Sequence, residues 1–277
     1  MDTAGPIVKW VGGKTKLLPA LRARMPKKFG EYYEPFVGGA AMFFALAPES
    51  ACLGDMNRAL IDTYCAVRED VEGVIERLKE YKAKHWKGSY YYEMREGWNE
   101  HRWRSDEVGA AAAFIYLNKT CFNGVWRVNR SGEFNVPKGD YEDPPIVNPD
   151  NLRLAAKALK NARLLCNEYD ATTAHAKKGD FVYFDPPYDP VSKTSNFTAY
   201  TKDAFGKEQQ KKLAEHARAL RAKGVQVMLS NNDTPFVREL YADFCIDNVK
   251  CGRAINSKGA KRGKVDEVII TSYERTP

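Results

Sequence analysis

The longest regular pattern in the chain begins at Leu60, where Leu60, Tyr64, Val67, Val71, Val74, Leu78 and Tyr81 recur every three to four residues. That spacing lays one apolar stripe along a helix and predicts a single long amphipathic helix over the span. Helical periodicity continues through Tyr90 to Asn99 and Asp106 to Leu117, then gives way to a stretch rich in Asn, Gly, Arg and aromatics from Asn118 to Gly139. The flanking regions have a different rhythm. Residues 7–55 read as a basic turn, a helix from about Thr15, a strand at Tyr32 to Phe36, a helix through Met42 to Leu46 and a strand ending at Asp55, together one βαβ unit. Beyond the break Asp143-Pro144-Pro145 the alternation returns, with helix 150–159, strands 162–167 and 181–184, helix 207–222, strand 225–230, helix 234–241 and two final strands. The pattern predicts an α/β fold whose main domain is discontinuous, 1–56 plus 148–277, with a mostly helical domain, 57–147, inserted into it. No internal repeat or low-complexity tract is visible.

Composition narrows the class. At 277 residues and 44% hydrophobic content the chain can bury a sizeable core, and no stretch reaches the roughly eighteen apolar residues of a membrane span. The start, Met1 to Pro6, lacks the apolar run of a secretory signal, so an intracellular, cytoplasmic setting is expected. Cys52, Cys65, Cys121, Cys166, Cys245 and Cys251 are scattered without a C-x-x-C pair, which points to reduced thiols rather than zinc clusters or disulfides. His85, His101, His175 and His216 lack metal-ligand spacing and sit in polar segments that read as helix surface or loop; no metal is expected. Net charge is +7, and Lys250, Arg253, Lys258, Lys261, Arg262 and Lys264 follow one another with no acid between them. Such a run suits a polyanion, although a solvated basic loop explains it equally.

Chemistry enters at Asp185-Pro186-Pro187-Tyr188, directly after the buried-strand pattern Phe181-Val182-Tyr183-Phe184. The prolines fix φ and lack N–H donors, so a carboxylate and outward carbonyls offer acceptors to an amino group while Tyr188 offers a ring for stacking. A planar heterocycle with an exocyclic amine, adenine or cytosine, suits that set; a plain strand-ending turn is the competing reading. Glu34-Pro35-Phe36-Val37-Gly38-Gly39-Ala40-Ala41 sits where the first strand turns into a helix, and its small residues allow close approach to a ligand. Asp55 closes the second strand, placed either to accept hydrogen bonds from ribose hydroxyls or to cap the helix beginning near Asn57.

Taken in order, Lys9-Trp10-Val11-Gly12-Gly13-Lys14, Glu34 to Gly39, the inserted region and Asp185 to Tyr188 resemble the Dam family of DNA adenine methyltransferases over nearly the whole chain. The most specific stretch, Leu117 to Asn129 with Gly132 to Pro137, looks like that family's recognition hairpin; Asn196-Phe197-Thr198-Ala199-Tyr200 and Lys264-Val265-Asp266-Glu267 also match. The resemblance implies a Rossmann-like, S-adenosylmethionine-dependent methyltransferase fold with a helical target-recognition insertion, acting on double-stranded DNA. It further implies that Trp10, Lys14, Pro35, Phe36, Gly38, Gly39, Ala40, Asp55 and Asp185 meet the cofactor, and that Asp185, Pro186, Pro187 and Tyr188 meet the target base. Lys9, Val125, Arg127, Pro137 and Tyr141 match positions that read GATC, Asn129 in the same hairpin is likewise expected to bind DNA, and Phe122 and Asn123 match those that insert beside a displaced adenine. Without the resemblance, Trp10 reads as core and Lys14 as helix surface; a core aromatic is the competing reading of Phe122, and the loop-like Asn, Gly and Arg around it speak against that. One departure stands out: the family loop usually ends in glycine where this chain has Ala40, and the backbone there is expected to need no positive φ.

The implied mechanism is direct. A flipped adenine stacks on Tyr188, its amine donates to Asp185 and to the Pro186 carbonyl, and the nitrogen attacks the sulfonium methyl in line without a covalent enzyme intermediate. Cytosine N4, adenine in RNA or a glutamine amide would fit the same acceptors. A non-catalytic DNA-binding regulator is the alternative from another class.

Overall fold

The computed structural model describes residues 3–190, 205–251 and 265–274. Asn196 to Tyr200, and Arg253, Lys258, Lys261, Arg262 and Lys264 of the basic run, lie outside the described residues. In chain order the elements are α1 (Leu18–Arg22), β1 (Tyr32–Glu34), α2 (Ala41–Leu46), β2 (Ala51–Gly54), α3 (Arg58–Glu69), α4 (Val71–Lys84), α5 (Tyr90–Asn99) and α6 (Glu107–Thr120). A 3-10 turn at Phe122–Gly124 follows. Then come α7 (Pro149–Leu159), β3 (Ala162–Leu165), α8 (Tyr169–Thr172), β4 (Phe181–Phe184), α9 (Lys207–Ala222), β5 (Gln226–Asn232), α10 (Pro235–Leu240), β6 (Cys245–Cys251) and β7 (Val265–Thr271). They fall into two compact units, Met1–Gly13 with Val37–Ala47 and Asp55–Cys166, and Lys14–Phe36 with Pro48–Gly54 and Asn167–Pro277.

The first unit is built around α6. Its run Val108 to Leu117 is apolar on every side, and a helix without a polar face is stable only when surrounded. Accordingly α3, α4 and α5 all pack on it, and α7 closes against α3 and α4. The single helix expected from Leu60 to Tyr81 is two. Asp70, at φ −142° and ψ 70°, ends α3 and caps α4 by accepting the Gly73 N–H at 2.9 Å. The apolar period runs across this break because both helices bury a stripe, Leu60, Tyr64 and Val67 in one and Val74, Leu78 and Tyr81 in the other. His85 also departs from its expected surface position. It is buried, with Nδ1 3.0 Å from the Tyr116 hydroxyl, and burial lowers its pKa from the ordinary value, with Lys138 adding to the effect.

The second unit carries strands in the order β2-β1-β4-β5-β7-β6. The first four are parallel, while β7 runs antiparallel to both β5 and β6. Parallel strands buried on both faces read as continuous apolar runs, and Phe181 to Phe184 is wholly buried. This is the expected α/β, Rossmann-like sheet. In such sheets ligands gather at the carboxyl ends of the parallel strands, where β1 releases Glu34, β4 releases Asp185 and β5 ends in Ser230-Asn231-Asn232.

Candidate active site

At the end of β4 the Asp185 side chain is 18% exposed and forms an ion pair with Lys14, Nζ to Oδ1 2.8 Å. The Ser230 hydroxyl donates to the same oxygen at 2.9 Å. Burial pushes the Asp185 carboxyl above the ordinary carboxylate value, and the Lys14 ammonium pulls it back. The Lys14 ammonium also stands 4.5 Å above the Tyr188 ring, whose hydroxyl donates to Glu267 at 3.2 Å. Lys14 is therefore buried at this cluster and not on a helix surface. The prolines behave as expected of residues that leave carbonyls to others. The Pro187 carbonyl accepts from Gln210 Nε2 at 2.8 Å, and no donor among the described residues reaches that of Pro186. In the same unit Phe36, half-buried beyond Pro35, stacks on Tyr169 at 5.8 Å and meets Phe184 and Phe205 edge-on.

In the first unit Trp10, Gly38, Gly39, Ala40 and Asp55 come together. Gly38 has φ +44°, and a Cβ there would lie 2.6 Å from Trp10 Cδ1, so the indole lies against bare backbone. The Asp55 carboxylate accepts the Gly38 N–H at 3.0 Å through Oδ2 and the Asn57 N–H at 2.9 Å through Oδ1. The helix cap is instead Asn57, whose side chain accepts from Leu60. Burial raises the Asp55 pKa from its ordinary value, opposed by those two backbone donors, and each oxygen keeps a second acceptor site. Ala40 corrects the expectation about its backbone. It sits at φ 56° and ψ 30°, fully buried at the N-terminus of α2. The left-handed region costs an L-residue about 1–2 kcal/mol, so the loop keeps the conformation that favours glycine without the glycine.

The hairpin of the same unit sorts its residues by side. Trp126 turns inward, 4.4 Å from Phe134 and 4.0 Å from Phe114, while its neighbour Arg127 is exposed and its Nε donates to Asn135 at 3.0 Å. Val125, on Trp126's other flank, is half-buried. Phe122 is 53% exposed, which removes the core reading, and Asn123 beside it has φ 54°. The Pro137 carbonyl accepts the Phe122 N–H at 2.9 Å. Lys9 stands 4.0 Å over the Tyr141 ring, and the Tyr141 hydroxyl donates to the Cys121 carbonyl. Asn129 is engaged in the turn: its Oδ1 accepts from Ser131 and Glu133 N–H groups, and its Nδ2 donates to Glu133.

Sequence reasoning passed over several residues that hold these groups. Asn118, fully buried, accepts from Lys9 N–H at 2.7 Å and donates to the carbonyls of Lys9 at 2.8 Å and Gly124 at 3.2 Å, imitating a strand partner for the Lys9 backbone. In the second unit Asn231 accepts from the Asp189 N–H, Asn232 donates to the Asp189 carbonyl and Thr234 donates to its carboxylate. The available signal was an apolar strand, Val225 to Leu229, that turns abruptly polar at Ser230-Asn231-Asn232. Among the described residues no three or more His, Cys, Asp or Glu side chains are grouped to hold a metal, and no helix is long and apolar enough to cross a membrane.

Comparison with known proteins agrees with this arrangement. Residues 10–255 match the D12 class N6 adenine-specific DNA methyltransferase family. The chain is 40% identical to a type II methyltransferase of Lactococcus lactis subsp. cremoris, over 97% of this chain and 95% of that protein. It is also 40% identical to a type II methyltransferase of Methanocaldococcus jannaschii, over 97% and 99%. A DNA adenine methylase of Escherichia coli is 38% identical over 95% of this chain and 93% of its own length. An acid, two prolines and a tyrosine at the end of a parallel strand are thus set in a chain that is similar to adenine methylases from end to end, and the protein belongs to the D12 class of N6 adenine-specific DNA methyltransferases.

Proposed function

We propose that this DNA adenine methyltransferase acts on the adenine of GATC in double-stranded DNA, drawing the base out of the helix before transfer. The observation that carries the chemistry is the Asp185 carboxylate, held by Ser230 and Lys14 and followed in the chain by Pro186, whose carbonyl is assigned as the second acceptor. Two acceptors at one strand end suit the two hydrogens of an exocyclic amine. Hydrogen bonds to them draw the nitrogen lone pair out of conjugation with the ring and make it nucleophilic. Lys14 covers one face of Tyr188, so the base is assigned the other face for stacking, which offsets part of the few kcal/mol that flipping costs. S-adenosylmethionine supplies an electrophilic methyl on a positive sulfur. The residues suit that group: Asp55 retains acceptor sites for ribose hydroxyls, and the Trp10 indole, seated against the bare backbone at Gly38, offers a flat face.

Residues 57–147 are assigned to target recognition. Arg127, exposed in a hairpin held from behind by Trp126, is suited to a bidentate contact with guanine worth about 1–3 kcal/mol of discrimination. Lys9, Val125, Pro137 and Tyr141 are assigned the neighbouring bases, and exposed Phe122 with Asn123 the gap left by the flipped adenine. The test is to incubate the protein and S-adenosylmethionine with unmethylated plasmid and map modified bases at nucleotide resolution. Methyladenine confined to GATC is expected; methyladenine at another sequence refutes the assigned readout, and no methyladenine refutes the chemistry. Asp185→Ala should abolish transfer and leave duplex binding intact, while Arg127→Ala should relax base choice.

A further inference from the structure

The Ser230 hydroxyl that holds Asp185 is the near end of a line of buried hydroxyls extending behind the carboxylate. Strand register brings it together: Phe184 pairs with Leu229, so the next residues, Asp185 and Ser230, fall side by side. Ser230 is fully buried, and its hydroxyl lies 2.9 Å from Asp185 Oδ1 and 2.9 Å from the hydroxyl of Tyr183, which is also fully buried. A serine hydroxyl carries one proton. With that proton given to the carboxylate, Tyr183 must be the donor to Ser230, and the relay has one direction, Tyr183 to Ser230 to Asp185.

Alanine and phenylalanine would fill nearly the same space without the cost of burying two hydroxyls, so these oxygens are retained against a penalty unless the carboxylate uses them. We propose that Ser230 and Tyr183 are positioning residues for methyl transfer, fixing the orientation of the Asp185 carboxylate and holding it ionised for the target amine. The inference rests on the reading of Asp185 as amine acceptor.

The surroundings explain why one cation is not enough. Lys14 faces Asp185 from the segment before α1, and Tyr188 from the loop after β4. Tyr32 on β1 also feels the Asp185 charge, and Tyr183 feels Glu34 from β1, Glu267 from β7 and Asp185 itself. Three carboxylates therefore bear on one buried relay, and burial already favours the protonated form of Asp185. A donor that cannot leave keeps the carboxylate charged while Lys14 is shared with the Tyr188 ring.

The experiment measures kcat and KM for duplex DNA from about pH 5 to about pH 9 for the wild type, Ser230→Ala, Ser230→Thr, Tyr183→Phe and Asp185→Ala. Loss of a hydrogen bond to a charged group predicts a kcat lower by about 10- to 100-fold for Ser230→Ala, with KM within about twofold. Its acidic limb should move up by about one pH unit, as the ionised form loses its donor. Ser230→Thr, which keeps the donor, should return the limb to its wild-type position. Tyr183→Phe should act in the same direction by several-fold and carries the test if Ser230→Ala does not fold. An acidic limb unmoved in both Ser230→Ala and Tyr183→Phe overturns the proposal, whatever happens to kcat. Transfer surviving in Asp185→Ala overturns the underlying reading instead.

Discussion

Replacing Asn118 with alanine should uncouple the N-terminal Lys9 segment from the hairpin that follows α6. The side chain makes three hydrogen bonds, two with the Lys9 backbone and one with the Gly124 carbonyl, in a fully buried position. At Gly124 φ is +63° and a Cβ would lie 2.5 Å from Lys9 Cβ, so the two segments already touch. Each bond contributes about 1 kcal/mol net, giving a loss of about 3 kcal/mol and more where water cannot reach the stranded groups. With an unfolding entropy of about 2.1 cal/mol/K per residue over 277 residues, that corresponds to a fall in Tm of about 5 °C by calorimetry. Asn118→Asp is the sharper variant, because it keeps the acceptor for the Lys9 N–H but turns a second acceptor towards two carbonyls; it should destabilise at least as much. A Tm within about 1 °C of wild type for the alanine variant, well below the expected loss, would refute the reasoning.

Ala40→Gly should stay within about 1 kcal/mol of wild type, since relief of the left-handed backbone is offset by loss of a buried methyl and by chain entropy. Ala40→Val should cost more than about 2 kcal/mol, because a β-branched residue is strained at positive φ; equal denaturant midpoints for the two would contradict the assignment. His85 is held neutral by burial, so its contribution is complete above the unfolded-state pKa near 6.5 and is lost as pH falls through the lower folded value. The Tm advantage of wild type over His85→Gln should accordingly shrink on acidification, and parallel Tm profiles would exclude this. The Tyr241 hydroxyl is buried without a hydrogen-bond partner among the described residues, so Tyr241→Phe should raise stability by about 1 kcal/mol in urea titration; a loss of that size would show that the hydroxyl is satisfied.

What could be read from the sequence was what local pattern determines. The continuous apolar run Phe181 to Phe184 and the acid and prolines after it placed β4 and Asp185 correctly, and α5, α9 and β4 run between the expected residues. Periodicity alone concealed the break at Asp70, although an acid three residues before Gly73 is a capping signal that could have divided the helix. Ala40 has no side-chain signature for its left-handed backbone; the one signal was the glycine that the resembled family carries at that place. His85, flanked by lysine and tryptophan, looked superficial; its burial depends on Tyr116, thirty-one residues away on another helix. The hydroxyls behind Asp185 depend on strand register, which single-sequence pattern does not encode.

The inward stacking of Trp126 on Phe134, with Arg127 left exposed beside it, has an evolutionary consequence. On the proposed assignment, anchorage and readout fall to alternate residues of one strand-like segment, so the exposed set can be exchanged while the aromatic anchor, and with it the fold, is untouched. A lineage built this way can move to a new target sequence by a few substitutions on one side of a hairpin, without passing through unstable intermediates. The separation of the two sets by side makes this a natural scaffold for diversifying, or redesigning, methylation specificity.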